Sequence, residues 1–144
     1  MKKIYLLVPV LIIFVVLVWP RSYSDEEKIT NALNQLITGL ADRDLSAVMN
    51  TLCDSYADSD GLTKKSIRGI LFQRHQRNQG IVLRLADRTL DVSHTTAVIK
   101  TQITLLDGTL FSTSPDPLVF DVEIQLKNEN TQWCISGHDK TLVE

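Results

Sequence analysis

Apolar residues recur along positions 29–40 with helical spacing. Ile29, Leu33, Leu36, Ile37 and Leu40 fall at i, i+4, i+7, i+8 and i+11, one stripe of a helix. Leu45, Val48, Met49 and Leu52 repeat that stripe behind Asp44, a residue type that caps helix N-termini. Only Ala41 to Arg43 separates the two, so a tight corner is expected, and Gly39 is a mild flaw in the first helix by propensity. Thr63 is placed to cap a third helix, about Lys64 to Asn78, on which Ile67, Ile70, Leu71 and His75 share a face and which Gly80 ends. From Ile81 the period changes to two. IVLRLADRTLDVS reads as one long strand or two short ones, and Ala97 to Leu105 alternates. In LVFDVEIQLK, Leu118, Phe120, Val122, Ile124 and Leu126 point one way and Val119, Asp121, Glu123, Gln125 and Lys127 the other, so one face is buried and one is wet. A turn at Asn128-Glu129-Asn130 leads to a last strand, QWCISG, and SPDP at 114–117 closes the loop between the two longest strands. Three helices followed by antiparallel strands make an α+β domain with its helices on one face of a bent sheet.

The N-terminus stands outside that pattern. Ile4 to Trp19 carries no charge over 16 residues, which as a helix spans roughly 24 Å. Tyr5, Trp19 and Tyr23 suit the membrane interfaces, and Lys2, Lys3 and Arg21 can snorkel outward. The basic flank holds the N-terminus in the cytoplasm, and Asp25, Glu26 and Glu27 open the exported side. The expected organisation is therefore an anchor over residues 1–24, in contact with the lipid bilayer through residues 4–19, and a folded domain over 25–144. That places the domain in the periplasm, or outside the cell, on a single-pass inner-membrane protein. The competing expectation is a secreted protein cleaved after Ser22-Tyr23-Ser24.

From Asp25 onward, twelve basic residues face seventeen acidic ones. An acidic domain argues against nucleic acid as the main partner, because phosphate binding needs a concentrated positive face. Arg68, Arg74 and Arg77, with Lys64 and Lys65 before them, are the one basic cluster, expected to be a solvated helix face.

The order helix, short helix, GLTKKSIRGIL helix, then strands ending in TQWCISG resembles the nuclear transport factor 2-like superfamily. So do the stretch ADRDLSAVMNTLCDSY and Trp133 in the final strand. This is the cone-shaped fold of ketosteroid isomerase, scytalone dehydratase and the SnoaL-like polyketide cyclases, and the resemblance covers residues 26–138. It implies helices roofing a curved sheet, with an acid or histidine projecting into the cavity of those relatives that act on small molecules. A single span followed by such a domain is also similar to periplasmic assembly proteins of type IV secretion systems.

The densest polar stretch is DSYADSDG, residues 54–61. A calcium loop aligned on Gly61 puts Tyr56 at its first position and Ile67 at its twelfth, so two anchoring carboxylates are missing. For catalysis, Asp54, Tyr56, Asp58 and His75 are the residues expected to border a cavity, with His75 one turn beyond Leu71 on the inward face. The plain alternative is a turn through Asp58, Ser59, Asp60 and Gly61 ahead of the Thr63 cap. His94 and His138 read as exposed, and three histidines without shared spacing make no metal site. No phosphate loop, nucleophile motif or cofactor motif appears. Cys53 and Cys134 invite a disulfide in an exported domain. Parity opposes it: if Trp133 and Ile135 face the core, Cys134 points away from the helix carrying Cys53, unless a bulge intervenes.

The expected role is thus a non-catalytic binding or assembly domain at the membrane surface, partnered by an envelope protein or by a second copy through the outer sheet face, where Val98 and Val119 lie. The alternative is a small-molecule enzyme or carrier of isomerase, dehydratase or cyclase type.

Overall fold

A computed structural model describes residues 24–106 and 117–143. Residues 1–23 of the anchor expected over 1–24, and most of the loop that ends in SPDP, lie outside the described residues, and no helix among the described residues is long and apolar enough to cross a membrane. The helices are α1 (Asp25–Asp42), α2 (Leu45–Thr51) and α3 (Lys64–Gln76); the strands are β1 (Leu83–Val92), β2 (Thr96–Leu105), β3 (Leu118–Glu129) and β4 (Gln132–Leu142). The strands form one antiparallel sheet in the order β1-β2-β3-β4.

Each helix begins where its cap chemistry places it. Ser24 Oγ accepts from Glu27 N while Glu27 returns a carboxylate oxygen to Ser24 N, a reciprocal capping box. Asp44 accepts from Ala47 N at 3.0 Å, and Thr63 accepts from Ser66 N at 3.3 Å. Gly39 is a packing requirement rather than a flaw. A Cβ there would lie 3.0 Å from Val48 Cγ2 and 3.2 Å from Ala47 Cβ, so its absence lets α1 and α2 close on each other. Past α3 it is Asn78, not Gly80, that turns left-handed (φ 56°). Gly80 instead lets the chain press against α1, for a Cβ on it would stand 2.9 Å from the carbonyl oxygen of Ala41.

The helices cover the apolar face of the sheet. Ile29 and Leu33 from α1 and Leu52 beyond α2 pack on Ala97, Ile99, Val122, Ile124, Leu126, Trp133 and Ile135. Burying a side chain of this size is worth about 1.5–3 kcal/mol. Trp133 Nε1 donates to Asp25 Oδ1 at 3.0 Å, which ties the start of α1 to the start of β4.

Two bulges bend the sheet. In β1 the register slips between Ala86 and Thr89, with Asp87 at φ 52°, so the stretch read as one strand or two is one strand with a break. In β4, Ile135 pairs with Leu126 and Gly137 with Gln125, leaving Ser136 unpaired. That extra residue inverts the facing of everything after it. His138, Lys140 and Leu142 come opposite Ile124, Val122 and Phe120, on the core side. β4 also runs five residues beyond Gly137, and Asn130 and Thr131, both at positive φ, make its turn from β3.

Candidate functional site

The segment from Leu52 to Leu62 leaves α2 and runs along the free edge of β4. Leu52 forms a parallel bridge with Ile135, Cys53 N donates to Ile135 O at 2.9 Å, Ala57 N to Ser136 O at 3.1 Å and Ser59 N to His138 O at 3.2 Å. The segment lies close enough that a Cβ on Gly137 would fall 2.4 Å from Ala57 O. An edge strand that would otherwise present open carbonyls is thereby covered.

Cys53 and Cys134 are joined as a disulfide within this seam, their Cα atoms 5.0 Å apart. The parity of β4 behaves as its sequence implies, with Cys134 opposite Lys127 on the wet face and Ile135 opposite Leu126 on the core side. What differs is the position of Cys53. It lies beyond the end of α2, at the sheet edge, one residue past core-facing Leu52, so it reaches the same outer face as Cys134. The carboxylate of Glu129 on that face comes within 4.8 Å of both sulfurs.

Core-facing His138 meets Tyr56 and Asp58 from the covering segment. Tyr56 Oη is 2.8 Å from His138 Nδ1 and 3.4 Å from Asp58 Oδ2, with the two rings stacked at 29° and 6.4 Å. Asp58 Oδ1 accepts from Asp60 N at 3.0 Å and Leu62 N at 2.8 Å. The Asp58 side chain is 1% exposed, so its second oxygen needs a donor. One assignment of protons satisfies all three residues: His138 Nδ1–H donates to Tyr56, and Tyr56 O–H donates to Asp58. Nε2 of His138 then carries a lone pair and has no hydrogen-bond partner among the described residues, while the side chain keeps 27% of its surface. Burial pushes the Tyr56 phenol well above its usual range, and the neighbouring Asp58 charge adds to that. Burial also lowers His138, against the opposing pull of Asp58, so the imidazole stays neutral near pH 7. Lys140, also turned inward by the bulge, is bonded to Asp60 and holds that carboxyl below the ordinary range.

Of the residues expected to border a cavity, the structure brings together Tyr56 and Asp58. Asp54 stands apart, its side chain 98% exposed in an ion pair with Lys64 at 2.9 Å, which lowers its pKa. His75 is half-buried on α3, whose inward line runs Ile67, Leu71 and Arg74; Ile70 is 40% exposed. The inward face is therefore turned from the one the apolar spacing suggested. His138 was expected to be exposed. The only sequence signal that could have corrected this is Ser-Gly at 136–137, a pair suited to a bulge and a close approach. His94 is exposed, as read. Asp58 and Gly61 do form a turn, with Gly61 at φ 78° and its N–H on Asp58 O.

On the opposite, wet face of the sheet, an open groove of about 450 Å³ runs beside the β1 bulge. Asp87, Asp121, Glu123 and Asp139 line it against Lys100 and Gln102. Glu123 and Asp139 sit directly across from each other, a like-charge pairing that Lys100, 3.7 Å from Glu123, offsets in part.

No family model and no curated protein matches this chain by sequence. Solved structures do match by shape. An NTF2-like protein from Cytophaga hutchinsonii superposes with a TM-score of 0.66 at 16% identity, over 84% of this chain and 100% of that one. A putative calcium/calmodulin-dependent kinase II association domain from Exiguobacterium sibiricum gives 0.66 at 15% identity, over 87% and 98%. A putative scytalone dehydratase from Novosphingobium aromaticivorans gives 0.64 at 10% identity, over 83% and 85%. Three helices on a four-stranded, bulged antiparallel sheet, matched over nearly the full length of these structures, give this domain the nuclear transport factor 2-like fold.

Proposed function

We propose that this chain is a membrane-tethered, extracytoplasmic binding or assembly module without catalytic activity. The observation that carries the reading is the state of its interior. The core-facing positions of β3 from Leu118 to Leu126 are apolar, and the polar cluster Tyr56–Asp58–His138 at the edge of β4 has its hydrogen bonds turned on itself to hold the covering segment there. A disulfide between Cys53 and Cys134 suits an oxidising compartment, in line with the apolar run at residues 4–19. Four carboxylates against one lysine in the outer groove favour a different protein over a second copy, since two such faces brought together would repel.

The test is purification of the intact chain in mild detergent, with the chain's own mass and that of any companion measured by light scattering and mass spectrometry. A companion protein retained at fixed stoichiometry, and lost when Asp121 and Glu123 are both changed to Lys, is expected. A monomer that carries a small molecule beside His138 would overturn the reading.

A second reading is a small-molecule enzyme or carrier of dehydratase, isomerase or cyclase type. It is favoured by the open Nε2 of an imidazole whose other nitrogen is fixed by Tyr56 and Asp58, and by the likeness in shape to a putative scytalone dehydratase. Under it, His138→Gln abolishes turnover of a small molecule that co-purifies, while the fold persists.

A further inference from the structure

The basic cluster on α3 has two sides. Arg74 turns inward and is 8% exposed, with Nη2 donating to the Gly80 carbonyl at 3.4 Å, so it is no part of a solvated face. Lys65 and Arg68 are exposed, and with Phe72 and Gln76 they follow one another at i, i+3, i+7 and i+11, a single outward stripe along the helix. Phe72 is 53% exposed, a large apolar side chain left in water between cations. On the same stripe, between Lys65 and Phe72, a Cβ on Gly69 would meet nothing within 4 Å, so the face is open. Gly39, Gly80 and Gly137 each admit a close neighbour, whereas Gly69 weakens its helix with no contact of the fold to require it. Charge is segregated as well. Between Asp60 and Asp87 the sequence has no acidic residue, yet it holds Lys64, Lys65, Arg68, Arg74, Arg77 and Arg84, half of the twelve basic residues that follow Asp25. No carboxylate among the described residues comes within 4.0 Å of Lys65, Arg68 or Arg77. The acidic groove lies on the other face of the sheet from the helices. A domain with more acidic than basic residues thus turns one basic face outward, and that face carries an aromatic ring.

Cations around an exposed aromatic ring suit a helix that lies in a bilayer interface, where lysine and arginine meet lipid phosphates and the ring enters the headgroup boundary. We infer that the outer face of α3 docks on an anionic lipid surface, with Phe72 entering the interface and Lys65 and Arg68 bound to phosphates. The inference rests on the membrane-tethered reading, because an anchor over residues 4–19 holds the domain beside a bilayer at high effective concentration and makes so small a contact sufficient. Ser24, which the anchor would immediately precede, caps α1 on the same helical side of the sheet as α3. Docked in this way, the domain turns its acidic groove away from the lipid and leaves it open to a companion protein.

The test uses the full chain reconstituted into vesicles of phosphatidylcholine alone, or of phosphatidylcholine and phosphatidylglycerol in equal parts. Both native cysteines are in the disulfide, so Gln76→Cys, one turn past Phe72 on the stripe, supplies the single free thiol for a nitroxide label. Asp121→Cys supplies a control on the wet face of the sheet. Power saturation of each label is measured against oxygen, which concentrates in lipid, and against a water-soluble nickel chelate. In the anionic vesicles the α3 label should gain oxygen contact and lose nickel contact while the control stays in water; in the neutral vesicles both should stay in water. Changing Lys65 and Arg68 together to Gln should lower the docked-to-free ratio roughly 25-fold, about fivefold per charge. An α3 label that reaches the nickel chelate equally in both vesicle types overturns the inference, as does one shielded from oxygen and nickel alike, which marks a protein on this face. A chain stripped from the vesicles by alkaline carbonate has no anchor, and overturns the tethered reading together with the inference; one that resists carbonate but keeps its α3 label in water overturns the inference alone.

Discussion

Two junctions in this small domain bury polar side chains, and they settle their hydrogen bonds in opposite ways. Where residues 52–62 cover the edge of β4, the buried acceptors of Asp58 have donors, the segment's amides feed three carbonyls of β4, and a disulfide closes the seam. Where α1 and α3 meet at Gly80, a guanidinium is buried with an unpaired donor and no carboxylate beside it. A polar group satisfied from within its own chain holds the fold together and is costly to remove, whereas one buried without a partner is itself a cost to folding.

The sharpest way to break the contrast is to cut the seam. Replacing Cys53 and Cys134 together by Ser frees a loop spanning 81 residues, which by chain-entropy reasoning should cost about 4 kcal/mol of unfolding free energy. Urea melts of the variant and of the reduced wild type should agree with each other and fall well below that of the oxidised wild type. A midpoint unchanged by reduction would show that the covering segment needs no staple.

Next in size is the close approach itself. Gly137→Ala sets a methyl against the Ala57 carbonyl, a backbone atom with little freedom to yield, and should destabilise by about 1–3 kcal/mol. Gly61→Ala provides the control for backbone conformation alone, since nothing lies within 4 Å of a Cβ there.

Tyr56→Phe removes the central hydroxyl and leaves Asp58 Oδ2 and His138 Nδ1 facing each other unpaired, at an expected cost of about 1–3 kcal/mol. The seam is also sensitive to acid. Because burial lowers the His138 pKa from 6.5, the unfolded chain binds its proton first, and the unfolded state gains on the folded one as pH falls below about 6.5. The contribution is complete above that pH and lost as pH drops through the lowered folded value. Thermal midpoints between pH 8 and pH 5 should decline less in His138→Gln than in the wild type; parallel curves would remove His138 from the account.

The smallest effect belongs to the other junction. Arg74→Met replaces a buried, unpaired cation with an apolar chain of similar length, and should leave stability within about 0.5 kcal/mol of wild type or raise it. A loss as large as that of Tyr56→Phe would mean that Arg74 is part of the scaffold, and the contrast between the junctions would collapse.

The helices and strands were readable because each buries one face, and burial of one face imposes a period that local sequence must carry. Ile29, Leu33, Val48, Ile99, Ile124 and Leu126 are buried where their spacing puts them. The polar seam was readable only in pieces. Tyr56 and Asp58 stood out as a dense acidic and phenolic stretch, while His138 did not, because its facing depends on one unpaired serine two positions earlier. Likewise the α3 face was read through Ile70 and His75, since an arginine at position 74 carries no apolar signal although it is the residue that is buried.

By itself, then, the sequence determined the α+β order, the helix caps at Ser24, Asp44 and Thr63, and the wet and dry faces of β2 and β3. All of these are governed by neighbours within a few residues along the chain. The tertiary structure alone decided that a loop from α2 lies along β4, that the Ser136 bulge turns His138 inward, and that Arg43 and Arg74 meet over Gly80. Those outcomes join residues 31 to 83 positions apart. No local periodicity encodes such pairings; they follow from how whole elements pack, and from which backbone groups remain to be satisfied once they have.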